Sequence, residues 1–253
     1  MVDRLKDKVA IVTGAAGNVG GATARLFAQE GATVICTDLG DMAPINQVER
    51  RGGLFLKQDV SDEGQWQALA ARVKGEYGRL DIVVNNAAMC VANPITEETL
   101  ENWNRSFAVN AQSVFLSVKH MLPILSASGG GSIINLSSFA ALGGSPITPV
   151  YAASKAAVAS LTQSVAVHCV SERNKVRCNS VHPGAIDPPM FPPEVQGELR
   201  EQMLAAVRAS TGHYMCEPED IARTILFLAS DDACHINGVA VPVDNAASVT
   251  LPY

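Results

Sequence analysis

The chain has 253 residues, 47% of them hydrophobic, and a formal net charge of −6 at pH 7. This size suits one large α/β domain with a substantial core and does not require a second domain. The acidic balance and the lack of a basic cluster argue against a nucleic-acid partner, and no apolar stretch approaches the roughly 18 residues of a membrane span. Because the first residues are charged and lack the apolar core of a signal peptide, we expect a cytoplasmic protein that does not bind membranes.

Seven short apolar runs, separated by stretches of helical character, follow one another along the chain. The predicted strands are residues 9–13, 32–37, 53–57, 80–84, 131–136, 176–181 and 239–243, and the predicted helices are residues 20–30, 63–77, 97–126, 151–173 and 218–229. Alternating strands and helices favour a parallel sheet with helices on both faces. The sequence therefore predicts a single-domain Rossmann fold over residues 1–253, a doubly wound parallel sheet of about seven strands.

Residues 185–215 interrupt this alternation with four prolines and then a short helical pattern. Val195, Leu199, Met203 and Val207 recur every four residues and would form one apolar stripe. The stripe suits a helix that packs on the body of the protein, and it suits equally a mobile lid over an apolar pocket. We treat the segment as a substrate-binding lid and keep the first interpretation open.

The six cysteines contain no Cys-x-x-Cys pair, and their spacings match no common zinc pattern. We therefore expect reduced structural thiols and no metal site.

A glycine-rich turn, Thr13-Gly-Ala-Ala-Gly-Asn-Val-Gly20, joins the first strand to the first helix. Such a turn lets the backbone approach a pyrophosphate, and the start of the helix then offers amides and positive dipole to the phosphates. Asp38 ends the next strand, where a carboxylate binds ribose hydroxyls and repels a 2′-phosphate. Since neither the turn nor residues 39–43 contain Arg or Lys, the pattern favours NAD(H) over NADP(H).

Two further strand ends are candidates for the walls of a cofactor site. Asp59 and Val60 would offer a carboxylate and an apolar face to the adenine. Asn85-Asn86-Ala87-Ala88 follows the fourth strand and would place amides and small residues at the carboxyl edge of the sheet, where such folds bind ligands.

Tyr151 and Lys155 lie four residues apart at the start of a predicted helix, and Ser138 precedes the tyrosine by thirteen residues. A free phenol has a pKa of about 10, and a neighbouring ammonium lowers such a value by roughly one to three units. Because residues i and i+4 share a helix face, Lys155 can tune Tyr151 for proton transfer near neutral pH.

Together these motifs resemble the short-chain dehydrogenase/reductase family over nearly the whole chain. Two positions depart from the family pattern: Asn18 replaces the middle glycine of the turn, and Pro188 stands where many members have Thr. The ending Val243-Asp244-Asn245-Ala246 is similar to the hydroxysteroid branch. The matching residues are Thr13, Gly14 and Gly20 of the turn, Asn85 to Ala88, Asn110, Ser138, Tyr151, Lys155, and the pair Pro183-Gly184.

The resemblance implies a role for each catalytic residue. Tyr151 would be the general acid/base, Lys155 would lower its pKa and hold the nicotinamide ribose, Ser138 would bind the substrate oxygen, and Asn110 would hold a water that links Lys155 to solvent. The residues expected to bind NAD are Gly14, Gly17, Asn18, Val19, Gly20, Asp38, Leu39, Asp59, Val60, Asn86, Ala87, Tyr151, Lys155, Pro183, Gly184 and Ile186.

The expected substrate pocket is mostly apolar and lacks an obvious cation to anchor a carboxylate. We therefore expect hydride transfer between NAD(H) and a neutral secondary alcohol or ketone, such as a steroid, a terpenoid, or a cyclic or aryl alcohol. Two alternatives stay open: a 3-oxoacyl-carrier reductase, and a catalytically silent NAD-binding sensor or scaffold. The resemblance also implies homotetramers or homodimers packed through helices 97–126 and 151–173. The expected substrate residues are Met89, Ser138, Ala140, Tyr151, Met190, Phe191 and Tyr214.

Overall fold

A computed structural model describes residues 3–40, 45–187, 190, 197–211 and 215–249. Its centre is one parallel sheet of seven strands in the order β3-β2-β1-β4-β5-β6-β7. The strands are β1 (Val9–Thr13), β2 (Thr33–Asp38), β3 (Leu54–Lys57), β4 (Ile82–Asn85), β5 (Gly131–Leu136), β6 (Val176–Pro183) and β7 (Ala240–Val243).

Eight α-helices are described. They are α1 (Asn18–Gln29), α2 (Asn46–Glu49), α3 (Glu63–Glu76), α4 (Leu100–Phe107), α5 (Ser113–Ala127), α6 (Pro149–Ser171), α7 (Gly197–Thr211) and α8 (Pro218–Ala229). A π turn, Ala108–Gln112, joins α4 to α5, and a short 3-10 helix, Phe139–Ala141, follows β5.

The helices cover both faces of the sheet with separate apolar clusters. Phe27 of α1 and Ile225 of α8 pack on one face, and Trp66 of α3, Met121 of α5 and Val158 of α6 pack on the other. The strands between the two edge strands β3 and β7 are buried from both sides, which explains why they appear in the sequence as continuous apolar runs. The predicted doubly wound Rossmann fold is confirmed.

The strand order reverses between β1 and β4, which are neighbours in the sheet although two strands separate them in sequence. Outside the carboxyl ends of these strands lies the crevice in which open α/β sheets bind ligands. The glycine-rich turn after β1 and the segment after β4 both open onto this edge.

The structure differs from the prediction mainly where helices begin, end or change pitch. The predicted helix 97–126 begins only at Leu100, because Thr99 caps it by accepting a hydrogen bond from the Asn102 amide at 3.1 Å, and the π turn interrupts it. β6 runs two residues beyond its predicted end and so includes His182 and Pro183. In the described part of the chain, no helix combines the length and the apolarity that crossing a membrane requires.

Candidate active site

The glycine-rich turn is packed so closely that side chains would not fit. Gly14 has φ +65°, and a Cβ there would lie 2.8 Å from the Cα of Ala87. A Cβ on Gly20 would collide with the carbonyl of Gly14. Gly17 is the N-cap of α1, and having no side chain it leaves the first amides of that helix without a capping group. These features fit a pyrophosphate at the helix start.

The Asn86 side chain supports this turn from the neighbouring strand. Its amide nitrogen donates to the carbonyls of Thr13 at 2.9 Å and Gly14 at 3.1 Å. The hydroxyl of Thr13 in turn accepts from the backbone amides of Asn86 and Ala87, both at 3.0 Å. Both amide hydrogens of Asn86 are thus engaged within the protein, which leaves its predicted contact with the cofactor to its oxygen.

Asp38 lies at the end of β2, beside the glycine-rich turn. Its carboxylate accepts hydrogen bonds from the Ala16 amide at 2.9 Å and from the Gly40 amide at 3.2 Å. The next residue, Leu39, is 61% exposed and offers an open apolar surface. The two backbone bonds hold the carboxylate in one orientation at this edge of the sheet.

The second predicted wall of the cofactor site, Asp59-Val60, makes hydrogen bonds within the protein that its sequence did not indicate. Asp59 accepts from the amide and the hydroxyl of Ser61, at 2.9 and 2.6 Å. Val60 is buried, and its carbonyl accepts from the indole of Trp66 at 2.7 Å. This wall is therefore held in place by α3.

Tyr151 and Lys155 lie on the same side of α6. The helix begins at Pro149, so Tyr151 is in its first turn and Lys155 one turn later. The Lys155 ammonium is 5.7 Å from the centre of the Tyr151 ring and donates to the Leu136 carbonyl at 2.7 Å. The i, i+4 spacing thus brings the two groups together next to the end of β5.

The electrostatic balance differs from the one expected from the spacing alone. Burial raises the pKa of Tyr151 above its ordinary value, the nearby Cys90 thiol raises it further, and a hydrogen bond with Ser138 opposes both effects. Burial lowers the pKa of Lys155 to about 8. The sequence predicted that Lys155 lowers the pKa of Tyr151. In the protein without cofactor, desolvation outweighs that effect, because burial penalises both the phenolate and the ammonium.

Ser138 follows β5 and caps the short 3-10 helix, its hydroxyl accepting from the Ala140 amide at 3.1 Å. The preceding Ser137 donates its hydroxyl hydrogen to the carbonyl of Lys155 at 2.8 Å. Both serines are buried, and Ala140 and Tyr151 are half-buried. The serine pair is therefore fixed against α6, with Ser138 near enough to Tyr151 to oppose the rise of its pKa.

Asn110 lies in the π turn and is 1% exposed. Its side chain accepts from the Met89 amide at 2.8 Å and donates to the Met89 carbonyl and the Ser154 hydroxyl, both at 2.9 Å. Ser154 donates to the carbonyl of Tyr151 at 2.7 Å. Asn110 thus links the segment after β4 to the first turn of α6, and its engaged amide hydrogens cannot also bind the water expected from the resemblance.

The structure adds one buried residue that the sequence interpretation missed. His182 at the end of β6 is fully buried, and its Nδ1 lies 2.9 Å from the carbonyl oxygen of Ser138. The signal available in the sequence was a histidine directly before Pro183-Gly184. Gly184 itself packs against Asp244, where a Cβ would lie 3.0 Å from the Asp244 Cα.

The predicted substrate residues are only partly described. Met89 is half-buried and Met190 is 50% exposed, whereas Phe191 and Tyr214 lie outside the described residues, as does Pro188. Leu199 of the expected apolar stripe is 54% exposed, so at this position the stripe is not packed on the body.

An ion pair joins α7 to the segment after β6. The Arg208 guanidinium donates to both carboxylate oxygens of Asp187, at 2.8 and 3.0 Å. On the same segment, Ile186 forms a parallel bridge with Cys216. Arg208 is therefore engaged by Asp187 and is not available as an anchor for a substrate carboxylate.

Comparisons with known proteins agree with this geometry. A family model described as enoyl-(acyl carrier protein) reductase matches residues 14–246. The 2,5-dichloro-2,5-cyclohexadiene-1,4-diol dehydrogenase LinX of Sphingobium indicum is 38% identical over 98% of this chain and 99% of its own length. The NADP-dependent (R)-specific alcohol dehydrogenase of Lentilactobacillus kefiri is 36% identical, with coverages of 96% and 98%. The 3-beta-hydroxysteroid dehydrogenase of Comamonas testosteroni is 34% identical, with coverages of 97% and 98%.

Among solved structures, a protein from Burkholderia xenovorans described as a short-chain dehydrogenase/reductase superimposes with a TM-score of 0.85. It is 32% identical, and the match covers 98% of this chain and 99% of that one.

Proposed function

The chain belongs to the short-chain dehydrogenase/reductase family and is an oxidoreductase acting on CH–OH groups; from this premise we propose that it transfers a hydride between NAD(H) and a neutral, largely apolar secondary alcohol or ketone. The observation that carries the proposal is the placement of Tyr151, Lys155 and Ser138 together at the carboxyl edge of the sheet, beside the glycine-rich turn.

Each residue then has a defined task in alcohol oxidation. Tyr151 takes the hydroxyl proton, and Ser138 donates a hydrogen bond to the substrate oxygen as negative charge develops there. Lys155 holds the nicotinamide ribose and supplies positive charge near the phenol. Bound NAD⁺ would supply the hydride acceptor and a positively charged nicotinamide ring beside these residues. The start of α6 also favours the phenolate, since Tyr151 lies in the positive end of that helix.

Asp38 supports NAD(H) as the cofactor. Its carboxylate is held beside the turn by the Ala16 and Gly40 amides, so a 2′-phosphate there would meet a fixed negative charge. Similarity alone does not decide this question, because the relative from Lentilactobacillus kefiri is NADP-dependent. The charge at this one position is therefore the basis of the assignment.

The substrate class follows from the residues near Tyr151. Ala140 follows Ser138, and Met89 is tied through Asn110 to the first turns of α6; both are apolar. Arg208 is paired with Asp187. The relatives named above act on a chlorinated cyclohexadiene diol and a 3-beta-hydroxysteroid, as well as on alcohols. We assign the segment 185–215 as a lid over this pocket, since the stripe residue Leu199 is exposed rather than packed on the body.

We also propose that this chain forms a homotetramer or a homodimer. Phe115 on α5, with Val167 and Val170 on α6, are half-exposed or more, and these neighbouring helices would meet a second copy.

The test of the catalytic assignment is Tyr151→Phe, with Tyr77→Phe as the matched control because the Tyr77 hydroxyl contacts only the Gly52 carbonyl far from the site. Turnover of cyclic and aryl secondary alcohols should fall by about three orders of magnitude or more in Tyr151→Phe, while NADH binding, followed by fluorescence, is retained. Normal turnover by Tyr151→Phe would overturn the assignment.

The test of the cofactor assignment compares NADH and NADPH binding to the wild type and to Asp38→Ser. The wild type should bind NADH at least about tenfold more tightly than NADPH. Asp38→Ser should bring the two dissociation constants closer together, because it weakens NADH binding and strengthens NADPH binding. Asp62→Asn, which removes a carboxylate at the start of α3, serves as the control. A wild type that prefers NADPH would contradict the proposal.

A further inference from the structure

We propose that His182 is a positioning residue for the reaction: its imidazole, with the hydrogen on Nδ1, holds the backbone of Ser138 so that the serine hydroxyl stays aligned with Tyr151. The inference rests on the proposed function, and one arm of its test is independent of turnover.

Geometry fixes the tautomer of this histidine. Nδ1 lies 2.9 Å from the carbonyl oxygen of Ser138, and a carbonyl can only accept a hydrogen bond, so Nδ1 carries the hydrogen. Nε2 lies 2.8 Å from the hydroxyl of Ser180, which can donate to it. His182 and Ser180 are 0% and 1% exposed. Burial lowers the pKa of His182, so the ring is neutral and Nε2 is an acceptor.

The hydrogen bond from His182 to Ser138 lies just beyond the end of β5, where the backbone bonds of the sheet stop. β5 ends at Leu136, and the last ladder-type bond beyond it is donated by the Ser137 amide to the Val181 carbonyl at 2.8 Å. Ser138 is one residue further on. Its carbonyl accepts from the Ala141 amide within the 3-10 helix and, from the rest of the protein, the bond from His182.

The serine pair is thus held from two sides. Ser137 is bonded to α6 through the Lys155 carbonyl, whereas Ser138 is bonded to β6 through His182. Without the histidine bond, the Ser138 carbonyl keeps only its bond from the Ala141 amide within the short 3-10 helix, so Ser138 can shift together with that helix and its hydroxyl can move relative to the phenol. Misplacement of a reacting group by about 1 Å typically costs a factor of about a hundred in rate.

The kinetic test uses His182→Leu, which removes the donor, and His182→Asn, whose amide nitrogen can replace Nδ1. For His182→Leu we expect kcat to fall about tenfold to a hundredfold with NADH affinity unchanged, and for His182→Asn recovery to within a few-fold of the wild type. Asn179→Leu is the matched control, since it removes buried hydrogen bonds to Ile236 and Val239 from the same strand without touching Ser138. A loss of kcat in Asn179→Leu would refute the proposal, and so would an unchanged kcat in His182→Leu.

A double-mutant cycle separates positioning from a general structural effect. If His182 acts through Ser138, then His182→Leu should cause no further loss of kcat in a Ser138→Ala background. Independent, multiplying effects of the two substitutions would exclude the proposed role, even if each variant folds well.

The remaining arm needs no substrate. Nitrogen-15 spectra of the cofactor-free full chain, with His182 assigned by its absence in His182→Asn, should show a protonated Nδ1 and an unprotonated Nε2. A hydrogen on Nε2 would overturn the inference while leaving the proposed activity intact. Conversely, absence of turnover in the wild type together with the Nδ1–H tautomer would count against the proposed function and not against this contact.

Discussion

At the scale of single residues, the site places an ammonium where water cannot hydrate it. Lys155 is 2% exposed, and its charge is met by the carbonyl of Leu136 at 2.7 Å. Burial lowers the pKa of this lysine to about 8 from an ordinary 10.5. The protein therefore bears a cost for the charge at neutral pH, which is typical of a functional site rather than of a stabilising ion pair.

This cost predicts a pH dependence of stability. Between pH 8 and 10.5 the unfolded state binds more protons at Lys155 than the folded state does, so the lysine makes the free energy of unfolding rise with pH, by up to about 3 kcal/mol. Relative to Lys155→Met, the wild type should thus gain stability across this range, as measured by urea unfolding at pH 7 and pH 10. A difference between the two proteins that does not change with pH would contradict the prediction.

Four of the six cysteines are buried, Cys90 is half-buried and Cys234 is exposed. All six are free thiols, and burial raises the pKa of Cys36 to about 12 and that of Cys90 to about 11. That these cysteines are reduced structural thiols stays a prediction. The Cys90 thiol, which lies near Tyr151, is therefore protonated at neutral pH and is a weak nucleophile.

At the scale of elements, the π turn between α4 and α5 is what brings Asn110 to the site. A π turn widens the helix by one residue, and here the side chain at that point ties Met89 to Ser154. The segment after β4 is thereby connected to the helix that carries Tyr151.

Removing this tie should affect both stability and turnover. Asn110→Ala leaves the amide and carbonyl of Met89 and the Ser154 hydroxyl without their partner in a buried region, so we expect a loss of about 2 to 4 kcal/mol in unfolding free energy and a lower kcat. Asn102→Ala on α4, which removes a bond to Glu98 near the surface, is the control and should change neither strongly. Equal stabilities of the two variants in urea unfolding would show that the tie is unimportant.

At the scale of the whole molecule, the two edges of the sheet have different electrostatic characters. Opposite the active site, an open cleft of about 750 Å³ is lined by cations that include Lys8, Arg173 and Lys175. The helices α5, α6 and α8 end at this edge, and the Arg177 guanidinium donates to the carbonyl of Ser230 just beyond α8. These cations lie near the negative ends of helices, which they complement, and Lys8 also pairs with Asp81.

The exposed helix faces predict self-association. Phe115 is 50% exposed and Val167 is 70% exposed. Exposed apolar surface on neighbouring helices is typical of a contact between protein molecules. If the proposed assembly forms through these faces, Phe115→Glu combined with Val167→Glu should convert it into smaller species, as measured by size-exclusion chromatography with light scattering. Ala71→Glu, which adds a charge to an exposed position of α3, should leave the assembly intact. A monomeric wild type would refute the assignment.

The sequence leaves two partners open for five small residues of the predicted helix 151–173. These residues suit close packing between copies, and they suit equally packing of the helix on the sheet; they are Ala152, Ala156, Val158, Ala159 and Val165. Of these, Val158 and Val165 are buried in the core of their own chain, whereas Ala156 is exposed. Periodicity identifies an apolar residue on a helix, but it does not show which neighbour covers it.

The sequence by itself determined the sheet, its helices on both faces, the glycine-rich turn and the Tyr151–Lys155 pair. These features depend on local chemistry: apolar runs, glycine conformations and the i, i+4 geometry of a helix, all of which act within a few residues. Burial in the tertiary structure decided the pKa values of Tyr151 and Lys155. Contacts between distant segments likewise decided the partners of Asn110 and the hold of His182 on Ser138. Desolvation and long-range hydrogen bonds arise only when the chain is folded, and no local pattern encodes them.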